Sequence, residues 1–155
     1  MDRIPITRQG YEKQKKELER LKKIERPQNI RAIEEARAHG DLSENAEYAA
    51  AKDRQSFLEG RIGELEFKLA NADIIDPDKL SKEKATFGSG VILENIDTGE
   101  TVEYQLVGSD ESDIEQGRIS VSSPLGKAII GKKPGDDLTL DVPAGKRSYE
   151  LIEIL

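Results

Sequence analysis

Residues 48–72 read YAAAKDRQSFLEGRIGELEFKLANA. Within this stretch Tyr48, Ala51, Gln55, Leu58, Ile62, Leu65, Leu69 and Ala72 step by alternating three and four residues. That is the spacing of a coiled-coil seam with one polar member, Gln55. The stretch therefore predicts a long helix with one stripe to bury against another helix. Ala49, Ala50 and Ala51 near its start would let two backbones approach closely. Asp76-Pro77 marks the end of the helical region.

The partner helix lies upstream. From Thr7 or Arg8 onward the chain is rich in Glu, Lys, Arg and Gln, all good helix formers. Its apolar positions are Tyr11, Leu18, Leu21 and Ile24, then Ile30, Ile33 and Ala36. Pro27 falls between the two groups. Proline removes one backbone bond and kinks a helix, yet apolar spacing resumes at once. The expectation is one bent, continuous helix with a phase shift in its heptads. Two helices joined by so short a connection are antiparallel neighbours. About 30 residues of helix span roughly 45 Å. An oligomerising coiled coil is the plain alternative to a hairpin within one chain.

The connection reads Gly40-Asp41-Leu42-Ser43-Glu44-Asn45-Ala46-Glu47-Tyr48. Gly40 suits the left-handed position that ends a helix. Asp41 can cap the second helix, with Glu44 at capping-box spacing, and negative charge there is favoured by the helix dipole. The same two carboxylates could instead share a divalent cation. Mg²⁺ takes one or two carboxylates together with waters and phosphate oxygens, so the pair would form a site only beside other groups. Leu42 is apolar at a tip with no core to join, which suits a partner contact. Local pattern leaves cap and chemistry both open. His39, the single histidine, reads as a last-turn cation.

The second half has a different texture. Residues 81–155 hold nine of the 13 glycines and a net charge of −6, against −1 for residues 1–80. Apolar clusters near 91–96, 101–107, 119–121, 138–142 and 149–154 are separated by Thr98-Gly99, Pro134-Gly135 and Ala144-Gly145. Val102, Tyr104 and Leu106 alternate with Glu103 and Gln105, as do Leu138, Leu140 and Val142 with their neighbours. Ser123-Pro124, followed by Leu125 to Ile130 and Gly131, reads as a short capped helix. An α+β domain with an antiparallel sheet is expected. Asp110-Glu111-Ser112-Asp113 lacks the glycine and closing glutamate of a calcium loop and reads as an acidic surface loop.

The chain has no Cys, so disulfides and thiolate metal sites are excluded. It has no apolar run long enough for a bilayer and no signal-peptide core, so no membrane partner and a cytoplasmic location are expected. A net charge of −7 argues for weak binding to free nucleic acid. It does not argue against docking on a protein that holds nucleic acid.

The segment Ala36-Arg37-Ala38-His39-Gly40-Asp41-Leu42-Ser43-Glu44-Asn45-Ala46-Glu47-Tyr48 resembles the tip signature of the bacterial Gre transcript-cleavage factors. Ile4-Pro5-Ile6-Thr7 with Gly10, Glu59-Gly60-Arg61-Ile62, and Ser120-Val121-Ser122-Ser123-Pro124 with Ile130-Gly131 resemble the same family, in its GreA type. The resemblance implies an antiparallel coiled-coil hairpin over 1–76 and an FKBP-like domain over 77–155 that docks on RNA polymerase. It further implies that the hairpin enters the polymerase's secondary channel and stimulates cleavage of the 3′ end of backtracked RNA. Asp41 and Glu44 match the family's two key acids, and would help the polymerase hold Mg²⁺ within the complex, with no cofactor bound tightly by this chain alone. Ser43 falls at a variable tip position, where it would orient a water or merely cap. Arg37 and Lys52 are candidates for contacts to RNA or channel, against the plainer reading of solvated helix-face charges. The chain would be a monomeric accessory factor and not a nuclease. A Gre-like blocker of the same channel is the alternative function. Peptidyl-prolyl isomerase activity is a third reading. It is weakened by a half with only Phe87, Tyr104 and Tyr149 as aromatics, since fold does not carry activity.

Overall fold

The computed structural model describes residues 3–41 and 45–155. They form two compact units. Of the described residues, one holds 3–4, 11–41 and 45–72, the other Pro5–Gly10 and Asp73–Leu155.

In the first unit, helix one runs as α1 (Arg8–Arg20), a π-helical turn (Leu21–Glu25) and α2 (Arg26–Ala38). Thr7 Oγ1 accepts from the Gly10 N–H at 3.0 Å and so caps the start of α1, as expected. The expected irregularity at Pro27 has a definite form. The Arg26 N–H reaches back five residues to the Leu21 carbonyl, so the turn preceding Pro27 is widened. The π-turn holds one more residue than an α-turn, which relieves the crowding a proline ring imposes on the preceding carbonyls.

Helix two is α3 (Ala46–Ala70). Its seam is the one expected: Leu58, Ile62 and Leu65 are buried and pack with Leu21, flanked by Leu18. Ala51 is buried, and Tyr48, Gln55, Leu69 and Ala72 are half-buried. The cross-pairs Glu17–Arg61, Arg26–Glu59 and Asn29–Ala51 fall in residue number on one helix as they rise on the other, which makes the hairpin antiparallel. On helix one the seam differs from expectation. Ile24 and Ile30 are about half exposed, while Asn29 (7% exposed) is buried; Ala36 (2%) is buried as expected. From Leu21 to Asn29 is eight residues, which in an unbroken α-helix overshoots two turns by about 80°. The extra residue of the π-turn absorbs that overshoot and brings Leu21, Asn29 and Ala36 onto one stripe.

Charged pairs line the hairpin. The Arg26 and Arg61 guanidinium groups each grip a carboxylate of the other helix through two hydrogen bonds, Glu59 at 2.8 and 2.9 Å and Glu17 at 3.0 and 3.1 Å. Those hydrogen bonds raise both guanidinium pKa values. The Glu64 carboxyl is held below its ordinary value by a hydrogen bond from Lys68 and then by one from Arg61. These cations favour its charged form only when the helix is folded. The stabilisation is therefore present above the unfolded carboxyl pKa of about 4.3 and is lost as pH falls through the lower folded value. Melting curves should show Glu64→Gln below wild type at pH 7 and coincident with it at about pH 2–3. A gap that persisted in acid would refute this electrostatic origin.

Helix α3 ends at Ala70, earlier than Asp76-Pro77 suggested. Residues Ala72–Ile75 form β2, which pairs with β1 (Ile4–Thr7) in a two-stranded sheet. Four-residue strands paired across the length of a hairpin leave little local signal.

The second unit carries a five-stranded sheet of β3 (Gly90–Asn95), β4 (Thr101–Val107), β5 (Arg118–Ser120), β6 (Asp137–Val142) and β7 (Gly145–Ile154), ordered β5-β4-β3-β7-β6. The sheet is antiparallel as expected, with one parallel pairing, β4–β5, at its edge. Helix α4 (Pro124–Ile129) covers one face, capped by the Ser123 side chain, which accepts from the Gly126 N–H. Val91, Leu93, Leu106, Ile119, Ile129 and Leu151 form the core beneath it.

One acidic stretch departs from expectation. The Glu111 side chain is only 4% exposed. It accepts from the Thr7 hydroxyl, from the Thr7 and Gly108 N–H groups, and from Arg118. The 110–113 segment is therefore no mere surface loop, because its glutamate anchors the residues that start α1.

Candidate functional site

The two hairpin helices meet at a turn. Helix α2 ends with the His39 N–H donating to the Ala36 carbonyl at 3.2 Å and the Gly40 N–H to that of Arg37 at 3.4 Å. Gly40 then turns the chain at φ +110°, a conformation that a β-carbon would strain. Asp41 follows, exposed. Leu42, Ser43 and Glu44 lie outside the described residues.

The cap of α3 is not Asp41. Asn45 holds that position: its Oδ1 accepts from the Tyr48 N–H at 3.1 Å. Asparagine is as good a cap as aspartate, and it stands three residues before that donor, where Asp41 lies a full turn too early. The Asn45 Nδ2 also donates to the Ala36 carbonyl at 2.6 Å, in the last turn of α2. Sequence reasoning passed over Asn45. The available signal was a cap-type residue directly before the unbroken helix formers that begin at Ala46.

His39, Asp41, Asn45, Ala46 and Glu47 line a shallow, open hollow of about 440 Å³. His39 Nε2 lies 3.8 Å from a Glu47 carboxylate oxygen, both groups well exposed. The imidazole thus follows the end of α2, as expected, and faces the first turn of α3. Arg37 is exposed on α2. Lys52 is exposed on α3 and donates to the Gln55 side chain at 2.8 Å. The structure therefore brings Asp41 close to His39 and Glu47, and leaves Lys52 on the helix face beyond them. Among the described residues no group of three His, Asp or Glu side chains is placed to hold a metal ion. The donors present at the tip are carboxylate oxygens, hard ligands of the kind Mg²⁺ accepts singly or in pairs.

Residues 4–74 match the model of the N-terminal region of transcription elongation factors, and residues 80–155 match that of the C-terminal region of GreA and GreB. The chain belongs to the GreA/GreB family of transcription elongation factors. Relatives named transcription elongation factor GreA match it over nearly their whole length. It is 58% identical to transcription elongation factor GreA of Thermodesulfovibrio yellowstonii, over 99% of this chain and 97% of that protein. It is 53% identical to that of Hyphomonas neptunium, over 100% and 99%. Among solved structures, GreA factor homolog 1 of Thermus thermophilus is 33% identical over 99% of both chains, with a TM-score of 0.44. Like the hairpin and the sheet domain, both family regions are present in one chain, as expected for a GreA/GreB protein. Among the described residues no helix is long and apolar enough to cross a membrane.

Proposed function

We propose that this elongation factor acts on RNA polymerase as an accessory to the polymerase's own chemistry. The hairpin enters the secondary channel, and its tip stimulates cleavage of the 3′ end of backtracked RNA, which returns the arrested complex to synthesis. The observation that carries this reading is the capping of α3 by Asn45. The N-cap position that Asp41 could have taken is held by Asn45, and Asp41 follows Gly40 at the exposed end of the hairpin.

Each tip group has a role in this reading. Asp41, with Glu44 beside it in sequence, would hold Mg²⁺ jointly with carboxylates of the polymerase. Bound there, the ion would offset the charge that develops on the attacking and leaving oxygens of the phosphodiester. Ser43 would orient the attacking water, and Leu42 would contact the channel wall. Arg37 and Lys52 lie one or more turns back, where they face channel or RNA as solvated cations. The chain holds no cofactor tightly by itself, works as a monomer, binds free nucleic acid weakly, and acts in the cytoplasm with the polymerase.

The test is direct. Purified protein added to stalled, backtracked polymerase complexes with Mg²⁺ should shorten the RNA from its 3′ end and restore elongation, and should leave free RNA intact. Intact RNA together with reduced synthesis would replace this reading by that of a channel blocker.

A further inference from the structure

The geometry points to Asn45 as a positioning residue, a clasp that sets where the tip carboxylates stand. This inference rests on the proposed function. The Asn45 amide closes both helix ends at once. Its carbonyl oxygen takes the Tyr48 N–H of α3, and its NH₂ group gives a proton to the Ala36 carbonyl of α2. The two partners fix the orientation of the amide, because an N–H must meet an acceptor and a C=O must meet a donor. The Ala36 carbonyl also takes the His39 N–H, so both of its lone pairs are used. The end of α2 at Ala36 and the start of α3 at Tyr48 are therefore joined by a single side chain.

A second asparagine makes the reciprocal contact. Asn29 of α2, buried in the seam, donates to the Ala51 carbonyl of α3 at 3.0 Å. Each helix thus gives one amide proton to a backbone carbonyl of the other. The buried apolar side chains on this part of the seam, among the described residues, are Ala36 and Ala51. Small, smooth side chains allow one helix to slide along another, and buried amides that must find one acceptor are what fix a register. A slide of the two helices would carry the tip acids along the hairpin axis. Alignment errors of about 1 Å cost catalysis up to 100-fold.

The usual capping substitutes do not perform both tasks. Aspartate caps but cannot donate, serine caps but does not reach Ala36, and alanine does neither. Asn45→Ser separates the two roles without adding charge. The free Asn45→Ser protein should melt within about 3 °C of wild type. Its cleavage rate at saturating factor should fall about tenfold, with the half-saturating factor concentration unchanged. Asn45→Ala should show the same loss of rate and a lower melting temperature. In the free protein, amide exchange at His39 should be several-fold faster in Asn45→Ser. A cleavage rate within twofold of wild type overturns the inference, as does a loss seen wholly as weaker polymerase binding. If wild type itself cleaves nothing, the proposed function fails. The clasp is then judged separately by the His39 exchange, and unchanged exchange in Asn45→Ser overturns it.

Discussion

Asp41→Ala is expected to lower stimulated RNA cleavage by on the order of 100-fold, the scale on which a single preorganised electrostatic group acts at a reacting centre. The same variant should compete for polymerase within about twofold of wild type, because exposed substitutions change binding or stability by about 0.5 kcal/mol or less. The hairpin should also melt normally. Asp41 does not cap α3; Asn45 does, through the Tyr48 N–H. The seam of Leu58, Ile62 and Leu65 lies several turns away. Glu44→Ala should behave alike, and the double variant should lose no more than the worse single one if the two acids serve one ion. The decisive measurement is single-turnover cleavage in stalled complexes across a Mg²⁺ titration, alongside a binding competition. Full cleavage by the double variant would remove both acids from the mechanism. Loss of binding in parallel with cleavage would make them docking groups instead.

The largest structural effect is expected at Gly126. A β-carbon built there would lie 2.1 Å from the Ser120 carbonyl oxygen and 3.0 Å from the Val121 Cα. These are backbone atoms at the end of β5, so no side chain can swing aside. Helix α4 is also laid onto this strand by the Ser123 hydroxyl, which donates to the same Ser120 carbonyl at 2.6 Å. Gly126→Ala must lift α4, break that bond and draw Ile129 out of a core where it is fully buried. A cost of about 3 kcal/mol or more is expected, at the upper end of overpacking effects. For a domain of this size that is roughly 12 °C or more in melting temperature. Gly63→Ala supplies the contrast. It lies inside α3 with open space around it, so the added methyl should stabilise by about 1 kcal/mol through helix propensity alone. Denaturant titrations of both variants test the pair. A Gly126→Ala protein as stable as wild type would show that α4 sits less tightly on β5 than its backbone contacts indicate.

Much of this architecture is legible in the residues. Helix α3 declares itself because large aliphatic side chains recur at three and four, and tertiary packing then uses that stripe unchanged. Helix α4 is readable from Ser123, Pro124 and Gly131, since cap and terminator are chemical necessities at those positions. Helix one is readable only in part. Reading apolar residues as the seam found Leu21 and Ala36 but also chose Ile24 and Ile30, whereas close approach of the helices selected Asn29. The parallel β4–β5 pair and the short β1–β2 sheet escape for another reason: alternation reveals which face is buried but not which strand lies beside which. Glu111 looked like surface charge because its partners, Thr7 and Arg118, come together only in three dimensions. At the tip, Asp41 and Asn45 are equally good caps by residue type. What separates them is position: Asn45 stands directly before the helix formers that begin at Ala46, where α3 starts.

The π-turn at Leu21–Glu25 also acts as an angular setting for everything beyond it. One residue of an α-helix corresponds to about 100° of rotation. Deleting a residue there would leave every side chain of the outer hairpin intact, yet turn Asn29 and Ala36 away from α3 and point the chain's exit toward Gly40 in a new compass direction. The bearing of the acidic tip is thus decided near the middle of helix one. Length changes in that turn act on aim, whereas substitutions at the tip act on chemistry.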